Sequence, residues 1–539
     1  MGSSDVGGFW GHEFKHTGFD ALVVHGRAES PVYLWIKDGE VEIRSAEHLW
    51  GKQTAPVQAA IRAELGDDRV RVAQIGPAGE NLVLYANVIH NANRAAGRNG
   101  MGAVMGSKNL KAVAVRGTMD LPIVDRDRVT KVAKWLGQNY KQRMSWAAEG
   151  IGRGTQDSLM GWGGLGGLPT HNFGKAMFEN RHLLSGERNY EMYLKERDTC
   201  QACPVRCKQV FENESDDPHH RLDPVYGGSE YEAMGAFGSC CGVEDNLAVL
   251  KANELANAYG LDSISTGMSI AFVMECFEKG ILTSEDTGGM EYGWGKAEVL
   301  APTIEMIANR EGFGDIMAEG TARMSKRFGP ETEPFTLTIK SQELPMHEPR
   351  LKHAMGIGYA ICPTGADHMI NIHDTDFAGE GWMLDRVNAV MEEKIKPLPP
   401  NDLSEEKMQI FYHEVNFMHF QDCAMNCFFY CYDYHHLAEA LSGVTGVAYS
   451  VKDIMDVGAR AQTLSRLFNI REGFTAEDDR LPKRVMTAFT EGPLEGIEIT
   501  DEAFDWCKHR YYELMGWDRE TGEPTDECLH ELGLDDLLG

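Results

Sequence analysis

Basic residues are in short supply in this chain. Its 539 residues hold 52 lysines and arginines against 82 aspartates and glutamates, a formal net charge of −30 at pH 7. Such a polyanion repels nucleic acid rather than steering it in, so nucleic acid is excluded as a partner. No run of about 18 apolar residues occurs, and no transmembrane span is expected. The opening Met1-Gly-Ser-Ser-Asp-Val-Gly-Gly has neither a basic stretch nor an apolar one, so it does not read as a secretion signal. The expected location is the cytoplasm. Neither G-x-G-x-x-G nor the Walker A pattern is present, which makes generic nucleotide binding a poor reading. Internal repeats and low-complexity tracts are also missing.

What is present is cysteine, twelve residues in all. In a large chain without an export signal, metal or redox chemistry explains them better than disulfides. Cys200, Cys203 and Cys207 form C-x2-C-x3-C inside Asp198-Thr-Cys-Gln-Ala-Cys-Pro-Val-Arg-Cys-Lys. A short loop of this kind turns three thiolates toward one point. Pro204 stiffens the turn, and Arg206 and Lys208 offset thiolate charge. A 4Fe–4S cluster needs four cysteines and often takes the fourth from far away. Structural zinc, the rival, usually shows two C-x-x-C halves or paired histidines, and a second half is absent. Buried or surface thiols without a ligand are the bland alternative. Cys423, Cys427 and Cys431 are the candidates for fourth ligand, and their four-residue intervals would place all three near one helix face.

The fold expected from the pattern is α+β, with a β-rich N-terminal domain followed by two mainly helical domains, at 1–120, 121–340 and 341–539. Strands are expected at 21–25, 32–36, 41–44 and 112–116, with a hairpin turn at Lys37-Asp-Gly. Helices are expected at 245–259, 265–278, 300–310 and 405–419, the last after the loop Lys396-Pro-Leu-Pro-Pro-Asn, and a short acidic helix at the tail. Arg94-Ala-Ala-Gly-Arg-Asn-Gly-Met-Gly-Ala-Val-Met-Gly-Ser-Lys places four glycines and two arginines within fifteen residues. Glycines let backbone N–H groups approach an anion, and arginines make bidentate phosphate contacts. A second loop, Ala258-Tyr-Gly-Leu-Asp-Ser-Ile-Ser-Thr-Gly, offers hydroxyls and a carboxylate at a helix start. Its bland reading is a helix C-cap followed by an N-cap.

Taken in order, several segments resemble the aldehyde ferredoxin oxidoreductase family. They are Ile75-Gly-Pro-Ala-Gly-Glu-Asn-Leu-Val, the loop Arg94–Lys111, the cysteine triplet, Ser229-Glu-Tyr-Glu, Gly260-Leu-Asp-Ser-Ile-Ser-Thr-Gly, Gly365-Ala-Asp-His, Gly516-Trp-Asp and Pro524-Thr. The resemblance implies a tungsten or molybdenum bis-pyranopterin cofactor with Mg2+ bridging its phosphates, and one 4Fe–4S cluster. By position, Asp5 and Ala95 match backbone carbonyls on the magnesium. Gly7, Arg94, Gly97 and Arg98 match pterin or phosphate contacts. Leu261 and Asp262 match the first pterin motif, in which Asn257 stands for the usual aspartate. Asp422 opens the second motif, in which Asn426 stands for leucine. Cys427 falls at the fourth cluster ligand, with Phe428 as an adjacent contact. Glu232 and His368 fall at the family's active-site carboxylate and histidine.

The implied activity is oxidation of an aldehyde to a carboxylic acid, with electrons passing through the cluster to ferredoxin or to an iron–sulfur partner subunit; a homodimer is also compatible. In that mechanism His368 polarises the carbonyl and Glu232 takes the released proton. The bland readings are an ion-paired or helix-start carboxylate and a hydrogen-bonded core histidine. The resemblance also implies that the family's chains begin roughly 75–90 residues upstream, a large part of a domain. A Glu-x-x-His iron site, found between subunits in some members, has no convincing match. Two alternatives remain: a benzoyl-coenzyme A reductase-type catalytic subunit, for which Cys240-Cys241 could supply a thiolate ligand, and a cluster-only electron-transfer protein.

Overall fold

The turn Asp38-Gly39 sets the first hairpin. Both residues have positive φ (45° and 89°), the two-residue geometry whose twist matches that of paired strands. β1 (Val32–Lys37) and β2 (Glu40–Ser45) therefore pair antiparallel with Lys37 opposite Glu40. The computed structural model describes residues 1–143 and 153–537. In it β1 and β2 open a six-stranded mixed sheet of order β2-β1-β6-β3-β4-β5. The further strands are β3 (Arg71–Gln74), β4 (Val88–His90), β5 (Arg94–Ala96) and β6 (Leu110–Arg116). β1 and β6 run parallel; the other neighbours are antiparallel.

The two-residue period of a strand sends alternate side chains to opposite faces. Tyr33, Trp35, Ala112 and Ala114 pack with Val57 and Ile61 of the helix Thr54–Leu65 on one face. Leu34, Ile36, Val113 and Val115 pack with Phe14 of the helix Trp10–Lys15 on the other. β6 is covered on both faces, which is why it reads as an almost continuous apolar run. The expected strand at 21–25 does not form. Leu22 and Val23 are 37% and 73% exposed, so no sheet face takes them up and the apolar run stays outside regular secondary structure.

The remainder is mostly helical. The expected helices appear as Asn246–Tyr259, Ser263–Glu278, Leu300–Asn309 and Glu405–Cys423. Asp245, Asp262 and Ser404 accept N-cap hydrogen bonds at three of these starts. At the tail, a helix at Asp526–Glu531 is followed by a 3-10 turn at Asp535–Leu537; residues 538–539 of the expected tail helix lie outside the described residues. One large apolar core joins Ala78–Ala86 of the N-terminal part to residues on both sides of position 340. A short hairpin, β7 (Leu194–Asp198) with β8 (Lys208–Phe211), stands apart from the main sheet.

Candidate active site

The glycine-rich loop and the second loop meet. Ala86 and Leu261 form an isolated antiparallel bridge, Asn87 N–H donates to Gly260 O at 2.8 Å, and Asp262 N–H donates to Tyr85 O at 3.0 Å. Gly260 is the left-handed C-cap of one helix (φ 76°) and Asp262 the N-cap of the next, so the cap geometry expected of this segment is real. Asp262 also accepts from Ser265 Oγ at 2.8 Å and lies 3.8 Å from Arg98 Nε. Close approach here requires Gly76: a Cβ would meet Tyr259 O at 2.2 Å.

Arg98 is hydrogen-bonded through one guanidinium nitrogen only, and Arg94 through its two terminal nitrogens but not Nε. Arg98 Nη2 donates to the carbonyls of Glu343 and Ala366. Arg94 Nη2 donates to Asp198 Oδ2 (3.1 Å) and Thr199 O (2.8 Å). Among the described residues, Arg94 Nε, Arg98 Nε and Nη1, Asn91 Oδ1 and Asn93 Oδ1 are buried without a hydrogen-bond partner. Buried polar groups are rarely left so, and a cluster of them in one loop marks a polar ligand's place. Ala95 pairs with Ile89 in the sheet edge, and Gly97 O accepts from Ser4 Oγ at 2.8 Å. Asp5 faces Asp422, whose carboxyl is pushed up to about 8 by burial and then by the charges of Asp5 and Asp367. The side chain of Asn257 is spent on Tyr226 O (3.0 Å), and that of Asn426 reaches Cys427 O (3.4 Å). Unpaired guanidinium donors beside uncompensated carboxylates fit a ligand that brings both phosphates and ring N–H edges.

The β7–β8 hairpin carries Cys200, Cys203 and Cys207 in its loop, between the paired Asp198 and Lys208. Left-handed backbone at Ala202 and Arg206 makes the loop wind, and Thr199 Oγ1 donates to the carbonyls of Cys200 and Cys203 at 2.9 Å each. Gly8 N–H and Arg94 Nη1 donate to Cys200 Sγ at 3.2 and 3.4 Å, and a Cβ on Gly7 would meet the same sulfur at 2.9 Å. Cys427 is exposed as a residue, but packing around its sulfur pushes the thiol up to about 12, with the charges of Cys200 and Cys203 adding to it; Cys207 is raised by burial, then Glu230, Cys427 and Cys200. The four sulfurs therefore share one neighbourhood. Cys423 instead feels Asp422 and Asp5, and Cys431 feels Arg143 and Asp433. The three cysteines do not share a helix face. The helix ends at Cys423, Met425 turns left-handed (φ 53°), and Cys427 lies beyond that break.

Glu232 sits in a single α-turn, Tyr231–Ala233, that passes directly into a π-helix at Met234–Ser239, a distortion common at functional sites. Its Oε2 accepts from Met346 N–H at 2.8 Å. Its Oε1 lies 3.5 Å from His368 Nε2 and 3.2 Å from His347 Nε2, out of line for a formed hydrogen bond. The ligand atoms of these three residues all lie within 4.8 Å of one another. His368 is held by its loop: Asp367 Oδ1 accepts from Met369 N–H and Ile370 N–H at 2.7 and 3.0 Å. Phe428, next to Cys427, links the two regions, its ring tilted against that of His373 with 5.8 Å between centroids.

Sequence reasoning missed His347, together with Lys352 and His373 behind it. Burial, followed by the charges of Lys352 and His368, holds the His347 imidazole well below its ordinary range. The available signal was density of charge. Glu343, His347, Glu348, Arg350, Lys352 and His353 put six ionisable residues into eleven, and none is more than 4% exposed. Solvated loops do not bury such a run without a use for it.

The aldehyde ferredoxin oxidoreductase N-terminal domain profile matches residues 1–117, and the profile for domains 2 and 3 matches residues 131–534. The tungsten-containing aldehyde ferredoxin oxidoreductase of Pyrococcus furiosus is 37% identical, over 98% of this chain and 84% of its own length. That of Thermococcus kodakarensis is 36% identical, over 99% of this chain and 85% of its own. Among solved structures, the active-site complex BamBC of benzoyl coenzyme A reductase with 1,5-dienoyl-CoA matches with a TM-score of 0.79 and 26% identity. That match covers 99% of this chain and 84% of the other. No helix among the described residues is long and apolar enough to cross a membrane. With both family profiles matched and more than a third of residues shared along nearly its whole length, this chain belongs to the aldehyde ferredoxin oxidoreductase family.

Proposed function

We propose that this chain oxidises aldehydes to carboxylic acids at a tungsten (or molybdenum) bis-pyranopterin centre and delivers the electrons through a 4Fe–4S cluster to ferredoxin or an iron–sulfur partner subunit. The observation that carries this reading is the approach of Glu232 Oε1 and His368 Nε2 to 3.5 Å, beside the half-anchored Arg98 and Asp262. Arg94, Arg98, Gly97, Leu261, Asp262, Asp422 and Phe428 would hold the pterin halves and their phosphates, with the carbonyls of Asp5 and Ala95 on a bridging Mg2+. Cys200, Cys203, Cys207 and Cys427 would hold the cluster. The division at 1–120, 121–340 and 341–539 then separates the phosphate-binding sheet from the two pterin-motif halves.

When bound, the metal–pterin group supplies the two-electron sink and the activated oxygen. The protein's part is proton and charge control. The reaction is RCHO + H2O → RCOOH + 2 e− + 2 H+. His368 Nε2–H donates to the carbonyl oxygen and makes the carbon more electrophilic. Glu232 Oε1, which no hydrogen bond now occupies, accepts the proton lost as the oxygen nucleophile adds. Tyr231, Trp162 and Tyr359 wall the rear of the site, and Tyr231 OH is engaged by Met346 O at 2.6 Å.

The ring-reductase reading loses its supporting feature. Cys240 and Cys241 are fully buried and turned to backbone carbonyls, Cys240 Sγ to Pro169 O at 3.6 Å and Cys241 Sγ to Ala236 O at 3.3 Å. Metal analysis of purified protein followed by aldehyde-dependent viologen reduction tests the proposal. Tungsten or molybdenum with about four irons and aldehyde-driven reduction is the expected result. Iron alone would leave a cluster carrier, and a loaded protein inert to every aldehyde would overturn the activity.

A further inference from the structure

We infer that Lys352 is the proton store of this site, receiving through His347 the proton that Glu232 takes from the reacting oxygen. This rests on the aldehyde oxidation proposed above, which releases two protons per turnover into a buried site that electrons leave by another route. A route for the protons is present in side chains to which that mechanism assigns no role. Glu232 Oε1 lies 3.2 Å from His347 Nε2; His347 Nδ1 lies 3.2 Å from Lys352 Nζ; and Lys352 Nζ lies 3.0 Å from Nδ1 of His373. His373 closes the row on His368 O at 3.0 Å.

Lys352 differs from the other buried lysines. Lys111 ends on Glu80, Lys340 on Asp479 at 2.6 Å and Lys407 on Asp374 at 3.0 Å. Each of these ammonium groups has a carboxylate as its ion-pair partner. Lys352 is 1% exposed, ends on two imidazoles, and lies 4.1 Å over the Trp162 ring. Imidazoles accept from an ammonium and donate to a neutral amine, so they serve both of its protonation states. The groups whose charges face it are Asp376, Asp374 and Glu232, with His347 and His373 against it. Burial pulls it down to about 8 despite the three carboxylates, so roughly a tenth is neutral at pH 7 and about half at pH 8.

The hop balances without a redox partner. The nucleophile's O–H bond breaks as Glu232 Oε1–H forms. A turn of the carboxyl aligns it with His347, since contacts of this kind tighten only in the substrate complex. The Glu232 O–H bond then breaks as His347 Nε2–H forms. His347 Nδ1–H breaks as Lys352 Nζ–H forms. Glu232 returns to carboxylate, and the electron pair follows its own path to the acceptor. The exposed Asp376, the strongest opposing charge on Lys352, is the outward step.

The test uses Lys352→Arg and His347→Gln holoenzymes. Arginine keeps the charge, the donors and the cation–π contact but does not titrate; glutamine keeps a donor toward Glu232 but cannot relay. If Lys352 only positions its neighbours, Lys352→Arg restores the rate. If it must be neutral to accept, wild-type kcat rises with pH through about 8. Both variants then lose that limb and about tenfold or more in kcat, with KM little changed. A second readout does not depend on turnover. With lysine labelled at Cε, one carbon-13 resonance should titrate near pH 8, vanish in Lys352→Arg and shift in His347→Gln. Should either variant fail to hold metal, kcat of the wild type in mixtures of light and heavy water decides: a curved dependence, from several protons in flight, supports the relay. Variants with wild-type kcat and limb, no low-titrating lysine, or a linear isotope dependence would each overturn it. A wild type that oxidises no aldehyde defeats the proposed function instead, so the two failures are distinguishable.

Discussion

Replacing Glu232 with glutamine changes one oxygen for one NH2 and little else in shape. The amide oxygen can keep the 2.8 Å hydrogen bond from Met346 N–H. Its NH2 then faces Nε2 of His347 at 3.2 Å and of His368 at 3.5 Å. Folding should tolerate this, because the oxygen replaced has no hydrogen bond to lose. Stability should stay within about 1 kcal/mol of wild type. Catalysis should not tolerate it. A positioned general base contributes roughly a hundredfold or more, and two decades of rate correspond to about 2.7 kcal/mol of barrier. The assay is aldehyde-dependent viologen reduction on protein whose tungsten, molybdenum and iron contents are measured in the same sample, with the melting temperature recorded beside it. The expected pattern is wild-type metal content and melting with kcat down by about a hundredfold or more. A fully loaded Glu232→Gln protein that turns over at the wild-type rate would remove Glu232 from the mechanism, however well placed it is.

Three further outcomes follow from the geometry. Cys427→Ala should lose the visible absorption and iron of the cluster, whereas Cys423→Ala and Cys431→Ala should keep both; an unchanged Cys427→Ala spectrum sinks the ligand assignment. Asp422 is raised from 3.8 to about 8, so its ionisation burdens the cofactor-free fold, with no penalty below about pH 4 and the full penalty above about pH 8. Asp422→Asn should therefore stabilise the cofactor-free chain at pH 8 by roughly 1–3 kcal/mol, after allowance for solvent, and by nothing at pH 4; thermal unfolding showing an equal gain at both pH values would refute the cause. Gly76→Ala should destabilise the fold by about 1–3 kcal/mol and loosen cofactor retention. Its φ of −88° suits alanine, but the Cβ would meet Tyr259 O at 2.2 Å, and an unchanged melting temperature would mean that the two loops part without cost.

The sequence made legible what is local. Lys37-Asp-Gly announces a turn that needs only its own two φ angles, and the helices follow from their three- and four-residue apolar spacing. The short strands β3, β4 and β5 were not legible. Three or four residues carry too little pattern, and β3 is defined by pairing with β6, some forty residues later in the chain. Ala21–Val24 shows the converse: an apolar run with no sheet to join. Cys423, Cys427 and Cys431 keep helical spacing on paper, but Met425 breaks the helix between them. In the site, Glu232 and His368 stood out through resemblance, since neither has a spacing of its own. His347 and Lys352 lay in plain view as members of a charged run. Their meaning depended on burial, which one-dimensional pattern does not carry.

Burial also explains why the two chemistries stand so close. Arg94 reaches Cys200 Sγ with one guanidinium nitrogen and Asp198 with another, and its Nε remains unpaired in the loop with Arg98. Gly8, from the far N-terminal segment, donates to the same sulfur. On the other side, Phe428 follows Cys427 and touches His373, the last member of the row that begins at Glu232. On the proposed reading, charge leaving the reacting carbon has two exits, sulfur-lined for electrons and imidazole-lined for protons, and Phe428 brings the far end of the second beside the first. Electrons tunnel across gaps that protons cannot cross without a chain of hydrogen bonds. A site that must shed both needs a wide electron path and a proton row, and on the proposed reading Glu232, His347, Lys352 and His373 supply the second.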